Sequence, residues 1–308
     1  MSKPAISVIL CTHNPRESYL RRTLVGLAAQ SMPREQWELV VVDNCSMPAM
    51  ERRLDLSWHP VARIVIEENL GLTPARLRGI EESQGDLLVL VDDDNILDAD
   101  YLEVASRVAA ERSYLGSWSG QCMAEFDEPP PSWTRRYWGA LCIREFDTDV
   151  WSNLPRLAAT MPAGAGMCVR KNVAEYYRNM IRNGQRSIQL DRTGDSLISG
   201  GDNDLAACAC DLGLGMGLIS AMKLKHLIPP QRLQPAYLAR LIEGISFSST
   251  LLDVERGLTV VPRGQLDLMI DALRVLRQGT LHGRILRASY RGRNNAARLI
   301  AAAHNTAS

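Results

Sequence analysis

The stretch Asp86-Leu87-Leu88-Val89-Leu90-Val91-Asp92-Asp93-Asp94-Asn95 decides the fold of this chain. A short, wholly apolar run bounded by polar residues reads as a strand buried on both faces. Three adjacent carboxylates at its end repel one another. Two unit charges about 4 Å apart oppose by roughly 4 kcal/mol at an effective dielectric of 20. A bound cation removes that repulsion, so the cluster points to a divalent metal holding a phosphorylated ligand.

Upstream of it, Ile6–Cys11 predicts a strand, followed by the turn formers Thr12-His13-Asn14-Pro15. A helix is predicted over 19–30, with Leu20, Leu24, Leu27 and Ala28 at helical spacing. Residues 38–42 predict a second strand, ending in Asp43-Asn44-Cys45-Ser46. Residues 62–67 predict a third, leading through Asn69-Leu70-Gly71 to a helix over 73–82, with Thr73 as cap and Pro74 as first helical residue. Apolar strands alternating with helices predict an α/β fold, a mostly parallel sheet covered on both faces. Such sheets bind ligands beyond the carboxyl ends of their strands. Thr12–Asn14, Asp43–Ser46 and Asp92–Asn95 all fall there.

The remainder of the chain is organised differently. Asp127-Glu128-Pro129-Pro130-Pro131-Ser132-Trp133 predicts a loop, since proline suits neither helix interior nor central strand. Four of the six tryptophans, Trp118, Trp133, Trp138 and Trp151, gather around it. Gly164-Ala165-Gly166 predicts a glycine turn entering a strand, and Ser199-Gly200-Gly201 a second one opening a helix near Asp204. His226 is expected after a last short strand, and from Pro235 onward the pattern is helical.

At 308 residues, with 46% hydrophobic and 23% charged side chains, the composition is that of an ordinary globular protein. The net charge of zero gives the whole chain no bias toward nucleic acid, and none is expected as a partner. Seven scattered cysteines predict reduced thiols in a cytoplasm rather than a disulfide framework. Cys208-Ala-Cys210 lacks zinc-site spacing. The opening residues carry too short an apolar run for a signal peptide, and no stretch reaches membrane-spanning length. The expectation is a cytoplasmic protein. Residues 272–308 hold seven arginines and no Asp or Glu, interleaved with Leu273, Leu276, Leu281, Ile285, Leu286, Leu299 and Ile300. Such helices are expected either to lie on an anionic inner leaflet or to pack with a solvated basic face.

With these residues in view, the chain resembles the inverting nucleotide-sugar glycosyltransferases of family 2, which have the GT-A fold. Ile6–Asn14 looks like the family's first strand and nucleotide loop, and Val41-Val42-Asp43-Asn44-Cys45-Ser46 like its Val-Asp-Asp-Gly-Ser element. Asn69, Gly71, Ala75, Arg76 and Gly79 match the Asn-x-Gly-x-x-x-Ala-Arg-x-x-Gly pattern. Asp92-Asp93-Asp94 fits the Asp-x-Asp signature, Gly201-Asp202-Asn203-Asp204 resembles the Glu-Asp motif, and His226-Leu-Ile-Pro229 a later His-x-x-Pro element. Three departures stand out: Gly201 for the glutamate, Leu77 for an asparagine, and Cys45 for a glycine.

The resemblance covers residues 5 to about 230 and implies a Rossmann-like nucleotide-binding half over 1–110, an acceptor-side half over 111–230, and a helical arginine-rich extension over 231–308. It implies transfer of a sugar, with inversion, from a nucleoside-diphosphate sugar (a uridine one) to a hydroxyl of a glycan or lipid-linked acceptor. Thr12, Asn14, Asp43, Asn69, Arg76 and Asp92 are expected to hold the nucleotide sugar, Asp94 and His226 an Mn²⁺ or Mg²⁺ ion, and Asp202 to be the general base. Asp92 and Asp94, two apart, share one face of an extended segment, leaving Asp93 to cap the following helix. Trp133, Trp138, Gly166 and Asp204 are candidates on the acceptor side, with Asp204 in reserve as base. A nucleotidyltransferase of similar sheet architecture, which has no need of Asp202, and a nucleotide-sugar-binding scaffold with decayed catalysis are the alternatives.

Overall fold

The computed structural model describes residues 3–186, 197–260 and 265–307. They fall into two compact units. The first comprises the chain up to Asp127, Cys142–Arg186 and Asp202–Ile228; the second comprises Glu128–Leu141, residues 197–201 and the chain from Pro229.

The first unit holds the strands β1 (Ile6–Thr12), β2 (Trp37–Asp43), β3 (Ala62–Ile66), β4 (Leu87–Asp92), β5 (Asn95–Leu97), β6 (Leu115–Phe126), β7 (Val150–Ser152), β8 (Cys168–Arg170) and β9 (Gly215–Ile228). Its helices are α1 (Glu17–Ala28), α2 (Leu72–Glu82), α3 (Tyr101–Glu111), α4 (Lys171–Arg182) and α5 (Gly201–Asp211). The strands form one sheet in the order β3-β2-β1-β4-β8-β6-β9-β5, with β7 also on β9. Strands β1 to β4 are parallel neighbours, as predicted. Beyond β4 the sheet is mixed: β8 runs antiparallel to β4 and β6, β5 and β7 antiparallel to β9, while β6 and β9 are parallel. The change comes where the strand–helix alternation stops, since parallel neighbours need a crossover of about a dozen residues or more.

Alternation along the strands builds two cores. Val8, Leu10, Leu39, Val41, Val89 and Val91 pack on one face with Leu20 and Leu27 of α1 and Leu102 and Val104 of α3. Ile9, Val40, Val42, Leu88 and Leu90 pack on the other with Ala75 and Ile80 of α2 and with α4 and α5. Helix α2 sits so close that a Cβ at Gly79 would lie 2.3 Å from the Ile9 side chain. Only glycine permits that approach.

Four sequence expectations differ from the structure. Helix α2 starts at Leu72 with Gly71 as its N-cap, not at Pro74 behind a Thr73 cap. Gly71 has φ +145°, and its N–H donates to Asn44 Oδ1 at 2.7 Å, so a side chain from another loop fixes the helix start. Helix α5 opens at Gly201 rather than Asp204, which puts both Asp202 and Asp204 in its first turn. His226 lies within the 14-residue β9, not after a short strand. Residues 127–131 form the predicted loop, but Ser132 and Trp133 already belong to a 3₁₀ segment, Ser132–Leu141.

The second unit is helical: α6 (Pro235–Glu255), α7 (Gln265–Arg277) and α8 (Gly279–Ala307). Helices α6 and α8 pack with almost no space between backbones, a Cβ at Gly292 falling 2.1 Å from the Glu243 carbonyl oxygen. Leu251, Leu252 and Ala296 form its small core. Ser246 and Ser289 share a hydrogen bond of 2.8 Å, and Arg291 Nε donates to Glu243 Oε1 at 3.0 Å. No helix among the described residues is long and apolar enough to cross a membrane.

Candidate active site at the carboxyl edge of the sheet

Register assembles the site. Thr12 lies beside Asp43 in the β1–β2 pairing, and Cys11 beside Asp92 in the β1–β4 pairing. Asn95 opposes His226 in the β5–β9 pairing, and Leu227 N donates to the Asp94 carbonyl at 2.9 Å. The β5–β9 pairing brings together Asn95 and His226, 131 residues apart in the chain.

The three carboxylates are dispersed onto three different partners. Thr12 Oγ1 donates to Asp93 Oδ2 at 2.6 Å. Asp93 therefore ties β4 to β1 and does not cap a helix, because the next helix, α3, begins only at Tyr101 with Asp100 as N-cap. Asp92 Oδ1 lies 3.9 Å from Arg76 Nη2, and Arg76 is only 5% exposed. Asp94 Oδ2 lies 3.4 Å from His226 Nε2, with both residues buried. Asn95 straps the turn: its Nδ2 donates to Asp94 Oδ1 at 2.9 Å and its Oδ1 accepts from Asp92 N at 3.3 Å.

Asp202 Oδ2 accepts the N–H of Gly164 at 3.0 Å, and Oδ1 that of Asn203 at 2.9 Å. A Cβ on Gly164 would stand 2.7 Å from Arg76 Nη2 and 2.8 Å from Asp202 Oδ2. Gly164 thus lies against both, and the carboxylate of Asp202 shares one neighbourhood with Arg76 and, through it, Asp92. Asp202, Arg76, Asp92, Asp94 and His226 are the residues the structure gathers.

The other expected residues have different surroundings. Asp43 is buried, and its two oxygens accept the N–H groups of Ser46 (3.0 Å) and Met50 (2.8 Å), which shapes the loop after β2. Asn14, at φ +46°, accepts the Met47 N–H on its side-chain oxygen at 2.8 Å and donates its own N–H to Ser46 Oγ at 3.0 Å. Asn69 is exposed; its side chain donates to Glu67 Oε1 and its carbonyl accepts from Asn44. Asp204 is fully buried and lies 3.4 Å from Arg186 Nε, away from the surface that Asp202 occupies. Gly166, at φ +68°, accepts the Tyr101 hydroxyl on its carbonyl at 2.6 Å and is a packing position. Trp133 and Trp138 belong to the second unit, where Trp133 stands 6.2 Å from the Tyr137 ring and Trp138 Nε1 donates to Thr134 Oγ1 at 3.3 Å.

Three site residues lie in stretches the sequence singles out but have no individual role there. Asn44 clips two loops together, its Nδ2 donating to the carbonyls of Glu67 (2.9 Å) and Asn69 (2.7 Å). Asn95 and Gly164 are the others. Their signals were present, a polar residue after the aspartates and a glycine turn, but only tertiary contacts separate Gly164 from Gly166. Cys122 lies behind the aspartates; burial, with Cys142, Asp94 and Asp92 adding to it, pushes its thiol far above the ordinary range and makes it a packing group.

Among the described residues no group of three or more His, Cys, Asp or Glu is arranged as a metal cage. The Asp94–His226 pair instead offers one carboxylate and one imidazole. That donor set fits a dication which completes its coordination with phosphate oxygens and water.

Residues 7–161, half of the chain, match the model of Glycosyl transferase family 2. The chain belongs to that family. It is 31% identical over 134 residues to the putative teichuronic acid biosynthesis glycosyltransferase TuaG of Bacillus subtilis, a match covering 42% of this chain and 51% of that one. It is 28% identical over 121 residues to the putative glycosyltransferase EpsH of the same organism, covering 37% of this chain and 33% of the relative. The chain therefore spans about half the length of the first of these curated relatives and a third of the second. Among solved structures, S. aureus TarS 1-349 in complex with UDP-GlcNAc shares the fold with a TM-score of 0.55 at 16% identity, over 88% of this chain and 70% of that one. The same protein without that ligand aligns with a TM-score of 0.53, and in complex with UDP with 0.51. The fold is the GT-A type, carried with its C-terminal helices.

Proposed function

We propose that this chain transfers a sugar from a uridine-diphosphate sugar to an acceptor hydroxyl with inversion, in the building of a cell-envelope polysaccharide or lipid-linked glycan. The observation that carries the reading is Asp202: a carboxylate held by the Gly164 N–H, beside Arg76, at the carboxyl edge of the parallel strands. Likeness in fold to a protein solved with UDP and UDP-GlcNAc supports the donor, and the teichuronic acid relative supports the acceptor class.

In this reading Asp202 takes the proton of the acceptor hydroxyl as that oxygen forms its bond to the anomeric carbon. The bond from that carbon to the diphosphate oxygen breaks, and the electron pair leaves with the diphosphate. Arg76, held near Asp92, presents a guanidinium whose planar fork suits phosphate oxygens. Asp92 accepts hydrogen bonds from the ribose side of the donor. Asp94 and His226 would hold Mn²⁺, preferred over Mg²⁺ by the imidazole, and such an ion supplies neutralisation of the charge that develops on the diphosphate.

The test is kinetic. Asp202→Asn should lower kcat by about 10²–10⁴-fold, the range for a lost general base, with UDP affinity retained. Undiminished turnover in Asp202→Asn would refute this role and favour nucleotidyl transfer. A thermal-shift panel of nucleotide sugars, with and without Mn²⁺, names the donor by its stabilisation of the folded state.

A further inference from the structure

The hairpin of α7 and α8 carries an apolar face that its own packing leaves uncovered. Gly279, at φ +73°, turns the chain between the two helices. Asp271 and Val275 are buried, and a Cβ at Gly283 would lie 2.6 Å from the Val275 carbonyl oxygen, so α7 meets α8 along that side. Leu266, Met269, Ile270, Leu273 and Leu276 follow helical spacing along the opposite side. Their exposures run from 38% to 74%. Five large apolar side chains in one exposed stripe exceed what single scattered surface residues explain.

Charge selects the occupant. Arg277 falls on the same stripe, and Arg274 flanks it while pairing with Asp271 at 3.5 Å. On α8, Arg284, Arg287, Arg291 and Arg298 recur on one exposed face, Arg291 bonding to Glu243. From residue 272 onward there are seven arginines and no acid. A second copy docked on this face would bring the same basic excess to the interface, seven arginines against the two acids Asp267 and Asp271 over α7 and α8. A surface of lipid phosphates over acyl chains complements both the charge and the apolar stripe. At 13 residues α7 is far too short to span a bilayer, so it must lie along it.

We propose that α7 is an interfacial anchor, which seats Leu266, Met269, Ile270, Leu273 and Leu276 at the headgroup–acyl boundary of an anionic phospholipid bilayer, with Arg277 and the exposed arginines of α8 drawing it there. The purified chain is tested by flotation with vesicles of phosphatidylcholine alone or mixed with phosphatidylglycerol. It should float with the mixed vesicles only, and less at high salt. The double change Met269→Ser/Leu273→Ser should weaken partitioning by at least about tenfold through lost apolar burial. Arg277→Glu/Arg284→Glu/Arg287→Glu should weaken it by more than about tenfold, since each basic residue near an anionic surface contributes about fivefold. All five positions are exposed or half-exposed, so thermal unfolding should be unchanged in both variants. Equal binding to neutral and anionic vesicles, or binding indifferent to both variants, overturns the proposal. So does a dimer, seen by light scattering, that Met269→Ser/Leu273→Ser disperses while vesicles bind nothing.

Discussion

Replacing Gly164 by alanine tests the site geometry at its tightest point. The added Cβ would stand 2.7 Å from Arg76 Nη2, 2.8 Å from Asp202 Oδ2 and 3.1 Å from Asp202 Cβ. Ordinary contact between such atoms is about 3.4 Å or more, so the carboxylate and the guanidinium must each retreat by about 0.6 Å. The Arg76 terminus can swing, but Asp202 is anchored in the first turn of α5 and its carboxylate is bonded to Gly164 itself. A misplacement of about 1 Å at a reacting group costs about a hundredfold in rate, so half that distance predicts a fall in kcat of about tenfold to a hundredfold. That corresponds to about 1.4–2.7 kcal/mol of transition-state stabilisation. Gly164 has no positive φ, so the alanine backbone fits and the folded state loses only an overpacking term of about 1–3 kcal/mol. Uridine-diphosphate release would be followed in steady state alongside a thermal melt. Combined with Asp202→Asn, the second substitution should add little, because both act on one carboxylate. A Gly164→Ala enzyme with the kcat of the unaltered chain, or effects that add in full, would refute the placement of Asp202 against Gly164.

The same site and core make further outcomes testable. Asp94→Ala or His226→Ala should weaken Mn²⁺-dependent UDP binding by at least about tenfold in calorimetry while leaving metal-free binding unchanged, since even outer-shell partners of a metal count for that much; equal loss in both conditions would remove the pair from a metal role. His59 sits 3% exposed against Trp37, and burial, aided by Arg34, lowers its pKa from 6.5 to about 4. Its Nδ1 accepts the Val61 N–H, so protonation would set two donors face to face. A folded pKa below the unfolded one means full stability above pH 6.5 and progressive loss as pH falls toward 4, about 3 kcal/mol from this group. Urea unfolding of His59→Gln should lack that part of the pH dependence; an identical pH profile refutes it. Cys45, at φ +62°, occupies the left-handed region at about 1 kcal/mol for a side chain other than glycine. Cys45→Gly should raise Tm by about 2 °C, net of its thiol contacts with Glu67 and Glu68; a lowered Tm would give those contacts the larger share.

The N-terminal half was legible because each signal there is local. Continuous apolar runs mark strands buried on both faces, and the strand-end polar clusters had to converge once the strands lay parallel. The helix starts at Leu72 and Gly201 were not legible. The first is fixed by Asn44 from another loop, and the second by a carboxylate whose partner is 38 residues away. Neither leaves a periodicity to read.

The same division runs through the aspartate cluster. Sequence alone determined that three like charges meet at a strand end and need relief, because adjacency in the chain guarantees proximity. Which partner relieves which charge was decided only by register: β1 brings Thr12 to Asp93, α2 lays Arg76 beside Asp92, and the β5–β9 pairing sets His226 against Asp94. Sequence likewise placed Asp202 in a glycine turn as the expected base and kept Asp204 in reserve. The fold separates them, turning Asp204 inward onto Arg186 and leaving Asp202 at Gly164, because successive helical positions point to different sides.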